Sequence, residues 1–425
     1  MEEQRISRMY LKLAGQRVEM IWYALTGRGG SSVFPVLAIL VVLLVPGGIW
    51  MAHRHAKFHS LEQKIAGIPQ DPTGPLPGGR APIVLTRKAD GSGVPEFSSV
   101  TLLPGLGMDV LQITAAIPHR GEVPLLMGPT VQQLADGTSQ ADGAGDVHGA
   151  LELPWSGNLE GLPTPLATAQ TESWKGQTVT TPTDVGGQPG MVRGGLLRFE
   201  DADDAKLTGN GSGALASFSA TDFDEHWFSK TETRVTVTMR ANSLELTVDA
   251  KNAGDQAEPL GIGWNPRFAI LGGRRGAITI RLPQGQRLEY ADKIRHSPTG
   301  KIVPEDAALE PFVARGAALG DAGLDEALVQ MKPGPGDSGP VAEMRNPEGG
   351  YGLRVTGLSS SIREFRVSAP ADKNYVALGT QTNYDSPLSR NWTGDEAITT
   401  LRPGEILEWK VRLEIFPVSG GKPGR

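Results

Sequence analysis

A chain of 425 residues with no cysteine cannot form disulfides, thiolate metal sites or a cysteine nucleophile. Its net charge of −6 is spread over interspersed acidic and basic residues. With no basic stripe to neutralise phosphates, a nucleic-acid partner is not expected. The length suits two average domains or one large β domain. The 55 glycines and 32 prolines fit either disorder or a β protein with many turns, and the alternating apolar runs described below select the second.

Residues 1–32 read as a cytoplasmic N-terminal segment. Residues 5–25 mix basic side chains with Met9, Leu13, Val18, Ile21, Trp22 and Leu25. That pattern suits either an amphipathic helix on a membrane surface or an ordinary exposed leader. Residues 33–52 (VFPVLAILVVLLVPGGIWMA) carry no charge. At about 1.5 Å per residue such a helix crosses a hydrocarbon core of about 30 Å. A cleaved signal peptide is the competing reading, but no small-x-small site follows the run. Arg5, Arg8, Lys12, Arg17 and Arg28 precede the span, and Arg54, Lys57 and Lys64 follow it. This bias places the N-terminus in the cytoplasm and the remainder outside, as in a single-pass inner-membrane protein with a periplasmic domain. His53, His55 and His59 just after the span read as a polar collar rather than a metal cluster.

Residues 53–79 read as a helical stretch and a Pro/Gly linker. From residue 80 to 417 the pattern is that of strands. Val235, Val237 and Met239, then Leu244, Leu246 and Val248, alternate with polar residues around Ala241-Asn-Ser243, which predicts a hairpin. Leu407, Trp409, Val411, Leu413 and Ile415 predict a final strand with one wet face. Residues 135–147 and 314–340 are rich in glycine and read as long loops. The expected fold class is all-β, a large antiparallel sandwich, followed by a short tail at residues 418–425.

Several short stretches, in this order, resemble the aldose 1-epimerases. Residues 124–129 (PLLMGP) are similar to a G-x-P-x-L-x-P segment, and residues 147–149 (VHG) with Trp155 to an H-G-x…W block. Residues 261–268 (GIGWNPRF) resemble G-x-G-W-H-P-Y-F, and residues 323–326 (GLDE) the L-D-D loop. Residues 375–381 (YVALGTQ) match the late strand, with Asp385 at a P-D-S aspartate, and residues 401–405 (LRPGE) match L-x-P-G-E. The resemblance implies the β-supersandwich of galactose mutarotase, a carbohydrate ligand and no cofactor or metal. It also implies that His148, Trp155, Trp264, Arg267, Asp325 and Gln381 bind sugar.

The family's proton-transfer residues, a histidine and a glutamate, fall at Asn265 and Gly379. Asn265 can donate a hydrogen bond but cannot deliver a proton, and Gly379 can do neither. The family's sugar-contacting arginine has no counterpart after Pro129. Asp395 and Glu396 are the remaining carboxylates weighed as a relocated base, and His226 matches no family block. The resulting expectation is a membrane-anchored sugar-binding protein or assembly subunit with weak or no mutarotase activity. An active epimerase with an altered acid/base pair stays open. So does a protein-binding sandwich like that of the bacterial membrane-protein insertase, although no spanning-length run after Ala52 suggests an insertase itself. A membrane-protein partner would fit either non-enzymatic role.

The topology has a direct test. A reporter fused after Arg425 is expected to be active only outside the cytoplasm, and a fragment beginning near Gly78 to be soluble. Retention of that fragment in membranes at high salt would contradict a single anchor.

Overall fold

β-Branched and apolar residues at every second position bury one face of a strand, and polar residues between them wet the other. The computed structural model describes residues 74–136, 149–164, 169–182, 191–272, 274–293, 295–393 and 395–419. By contacts the chain divides into Met1–Pro72 and Thr73–Arg425. The expected leader, membrane span, His53–His55–His59 collar and helical stretch lie outside the described residues. Among the described residues no helix is long and apolar enough to cross a membrane.

Two large antiparallel sheets dominate the second unit. The nine-stranded sheet contains the expected hairpin, Thr231–Met239 with Ser243–Asn252, in a register that sets Met239 opposite Leu244. The last strand, Ile406–Pro417, pairs with Ser243–Asn252 on one side and Tyr351–Gly357 on the other. Its Leu407, Trp409, Val411, Leu413 and Ile415 are all buried, as the alternation predicts.

The eight-stranded sheet runs in the order Ser297–Pro304, Gln284–Asp292, Leu324–Lys332, Glu364–Ala369, Tyr375–Gln381, Gly263–Trp264 and Leu151–Glu152. The short strand Arg267–Ala269 also pairs with Tyr375–Gln381. Val235, Val248, Trp409 and Leu413 of the first sheet share one apolar cluster with Leu328, Phe365, Val367 and Leu378 of the second. The core is therefore the space between two sheets, as in a β-sandwich. Among the described residues helix is confined to short pieces, including Val131–Ala135 and Glu310–Ala314.

One expectation is corrected here. Residues 314–340 are not a loop, because they contain Leu324–Lys332, an interior strand paired on both edges. The flanking glycines conceal it, and its two acidic residues look exposed in sequence. In the fold Asp325 meets Arg366, while Glu326 lies 3.7 Å from Arg287 and 3.4 Å from Lys293. The other expected loop, residues 135–147, falls almost wholly outside the described residues.

Asp109, at the head of the strand Asp109–Ile117, is 6 % exposed, and its Oδ1 has no hydrogen-bond partner among the described residues. Burial pushes its carboxyl up to about 8. A raised carboxylate makes the folded state the better proton binder, so stability falls as pH climbs from the unfolded value near 4 to about 8. Asp109→Asn removes that dependence. Its unfolding free energy should gain on the parent's by at most about 1.4 kcal/mol per pH unit across this window. Denaturant melts at pH 5 and pH 8 measure it, and parallel curves would show Asp109 to be solvated.

Candidate active site

The eight-stranded sheet presents one face to the core and carries a cleft on the other. Along Glu364–Ala369 the odd positions Phe365, Val367 and Ala369 join the apolar cluster, leaving Arg366 and Ser368 to line the cleft. The neighbouring strand contributes Tyr375, Ala377 and Gln381, and the residues after it Asp385. The space the cleft encloses is about 660 Å³ when the part open to solvent is included.

Arg366 organises the floor. Its side chain is 6 % exposed, and it pairs with Asp385 through Nη1 and with Asp325 Oδ1 through Nη2 at 2.8 Å. Nη1 also donates to the Tyr290 hydroxyl at 2.9 Å, which donates in turn to Asp385 Oδ2 at 2.7 Å. His296 closes the network. Asn158 Nδ2 donates to the Arg295 carbonyl at 2.9 Å and to His296 Nδ1 at 3.0 Å. On its other side, His296 Nε2 lies 2.8 Å from Asp325 Oδ2 and 2.6 Å from Arg366 Nη2, so the imidazole sits between the carboxylate and the guanidinium. Burial works against ionisation of Asp325, but the hydrogen bond from His296 and the charge of Arg366 outweigh it and hold the carboxyl well below its usual range. Glu364, fully buried beside this network, moves the other way. Burial and the nearby charge of Asp385 push it far above the carboxylate range despite Arg366.

The opposite wall is built by close approaches that only glycine allows. A Cβ at Gly263 would lie 2.1 Å from Ser156 Oγ, and one at Gly261 would lie 2.0 Å from Asn383 Oδ1. Ser156, so admitted, donates to Glu152 Oε2 at 2.5 Å and lies 3.1 Å from Gln381 Oε1. The Gly157 amide donates to the same Glu152 oxygen at 2.8 Å. Burial raises the Glu152 carboxyl above the ordinary carboxylate range, against the lowering effect of those two hydrogen bonds.

The sequence-predicted residues separate into groups. Asn265, Arg267, Asp325 and Gln381 line the cleft together. Arg267 lies over the Tyr375 ring, 4.8 Å from its centroid. Gly379 lies against Asn265, for a Cβ there would be 2.8 Å from Asn265 Oδ1, a buried oxygen with no hydrogen-bond partner among the described residues. The two positions of the implied acid and base are thus neighbours. His148 lies outside the described residues.

Trp155 and Trp264 are corrected. Both are fully buried in the apolar cluster and do not line the cleft. Trp155 stacks on Trp227 at 5.3 Å, and Trp264 packs edge-on to Phe268 and donates to the Gly149 carbonyl at 3.0 Å. No face of either ring is open to a sugar. Asp395 and Glu396 do not line the cleft, and Asp395 pairs with Lys175 at 3.1 Å. His226 approaches the Thr180 carbonyl through Nδ1 at 2.5 Å and is likewise apart from the cleft.

A galactose mutarotase-like protein from Clostridium acetobutylicum superposes with a TM-score of 0.58 at 13% identity, covering 76% of this chain and 95% of that one. A GalM/aldose epimerase homologue from C. elegans gives 0.58 at 17%, covering 80% and 99%. The chain has the galactose mutarotase-like fold. A galactose 1-epimerase from Lactobacillus acidophilus gives 0.55 at 12%, covering 80% and 99%. No family model matches the sequence, and no curated protein matches it significantly. At such identities the galactose mutarotase-like likeness speaks for the fold, and residue roles must be argued from this cleft.

Sequence reasoning missed Glu152, Asn158, Arg193, His296 and Arg366 on the cleft, and Tyr290 bonded to Arg366 and Asp385. For Arg366 a signal existed: Glu364-Phe-Arg-Val-Ser368 alternates charged or polar with apolar residues, so a buried strand had to aim charge at something. For His296, at a positive φ of 52°, no local pattern gives notice.

Removing one partner of a buried ion pair strands the other charge. Arg366→Met is expected to cost about 3–5 kcal/mol. Adding Asp385→Asn should recover part of it, giving a coupling of at least 0.5 kcal/mol in a double-mutant cycle of denaturant unfolding. Strict additivity would mean that the pair carries no weight.

Proposed function

We propose that the cleft binds a saccharide and that the chain does not catalyse mutarotation at an appreciable rate. The observation that carries this reading is the packing of Asn265 against Gly379. Ring opening needs a proton delivered to the ring oxygen and a base at the anomeric hydroxyl, and these two positions supply neither. What remains suits hydroxyl recognition. The partly exposed Asp325 carboxylate is oriented by His296 and Arg366, and the Gln381 amide is held by Ser156 and Asn383. Anchoring by residues 33–52, with the sandwich in the periplasm, is part of the same proposal. It rests on the charge-free run and the Lys/Arg bias around it. A membrane-protein partner would then be met on the same side.

One observation favours a second reading, an epimerase with a different acid. Glu152 lines the cleft, and its raised carboxyl would keep a proton nearer neutrality than an ordinary glutamate, as a general acid requires.

Polarimetry separates the two. The unaltered protein should leave the mutarotation of galactose and glucose at the buffer rate while binding one of them or a derivative. Asn265→His with Gly379→Glu should generate activity only together, since both groups act on one event. Gly379→Glu alone should destabilise, because its side chain must displace Asn265. Turnover by the parent, abolished by Glu152→Gln, would replace this reading with the second.

A further inference from the structure

Arg193 ends the short strand Met191–Arg193, directly across the ladder from Asn158, and lines the cleft. Its position is fixed from behind. A Cβ at Gly195, whose φ is +66°, would lie 2.5 Å from the Leu153 backbone, so the chain turns tightly against that segment. The Gly194 amide donates to the Gly157 carbonyl at 3.2 Å and the Leu196 amide to the Leu153 carbonyl at 2.6 Å. Arg193 is half-buried as a residue and has no ion pair or side-chain hydrogen bond among the described residues. A partly desolvated cation without a counter-charge is costly unless something else meets it.

The carboxylates that share the cleft are not available to it. Asp385 and Asp325 are committed to Arg366, and Glu152 is bonded by Ser156 and Gly157 and pushed by burial toward its neutral form. Arg267 adds a second cation to the same cleft. Resting on the saccharide-binding reading above, we infer that the ligand is an acidic saccharide, whose carboxylate or phosphate is met by Arg193 while its hydroxyls face Asp325 and Gln381. Bidentate guanidinium–oxyanion pairing is the chemistry that recognises such a group. A neutral hexose would offer Arg193 no oxyanion to pair with.

Calorimetric titration of the full chain in detergent tests this with three probes: galacturonate, galactose 6-phosphate and galactose. At least one anionic sugar should bind about tenfold or more tightly than galactose, and the stronger of the two identifies carboxylate or phosphate as the group. Arg193→Gln should bring that ratio near one, and Arg193→Lys should retain part of it. Because Arg193 has no partner among the described residues, both variants should keep the parent's melting temperature, which checks that they are folded. Equal affinity for charged and neutral sugars, or a preference untouched by Arg193→Gln, overturns the inference and leaves saccharide binding standing. Failure of all three probes to bind at millimolar concentration overturns both.

Discussion

A guanidinium cannot be buried to the extent of Arg366 unless carboxylates meet it, and the two that do so come from separate parts of the chain. Asp325 belongs to the strand Leu324–Lys332, and Asp385 follows the strand Tyr375–Gln381. Tyr290 and His296, from the two sides of the outer hairpin turn, reach the same group. Placing the hairpin, the middle of the sheet and the late segment around one charge sets the cleft's depth and the direction of its polar groups. Gly157 is drawn in as well, since a Cβ there would lie 2.4 Å from Asp385 Oδ1.

The periodicity of the sequence made the sandwich legible, because alternation reports burial and burial is what orders a sheet. The last strand and the Thr231–Met239 hairpin are the clearest cases. Leu324–Lys332 was hidden, since the adjacent half-buried Asp325 and Glu326, answered by arginines from neighbouring strands, break the alternation that marks a strand. Trp155 and Trp264 misled for a related reason. An aromatic inside a motif block is equally consistent with core and with ligand, and only the third dimension shows that Trp227 and Phe268 cover them.

The site was partly legible. Asn265, Arg267, Asp325 and Gln381 converge, although nothing in their spacing says that Gly379 would lie against Asn265. His296 and Arg193 are set by turns and long-range pairing, and single side chains of that kind leave no periodic trace. The charge balance of the cleft is the property furthest from the sequence. It depends on which carboxylates are already spoken for and which one burial discourages from ionising.

The two glycines before Trp264 have a wider bearing. Each lies where any side chain would collide with Ser156 or Asn383, so the G-x-G-W stretch is required for the wall of the cleft to close, whether or not a proton ever moves there. A signature built on that stretch records architecture. The proton chemistry that the resemblance implies would fall one residue further on, at Asn265, outside the pair of glycines that closes the wall.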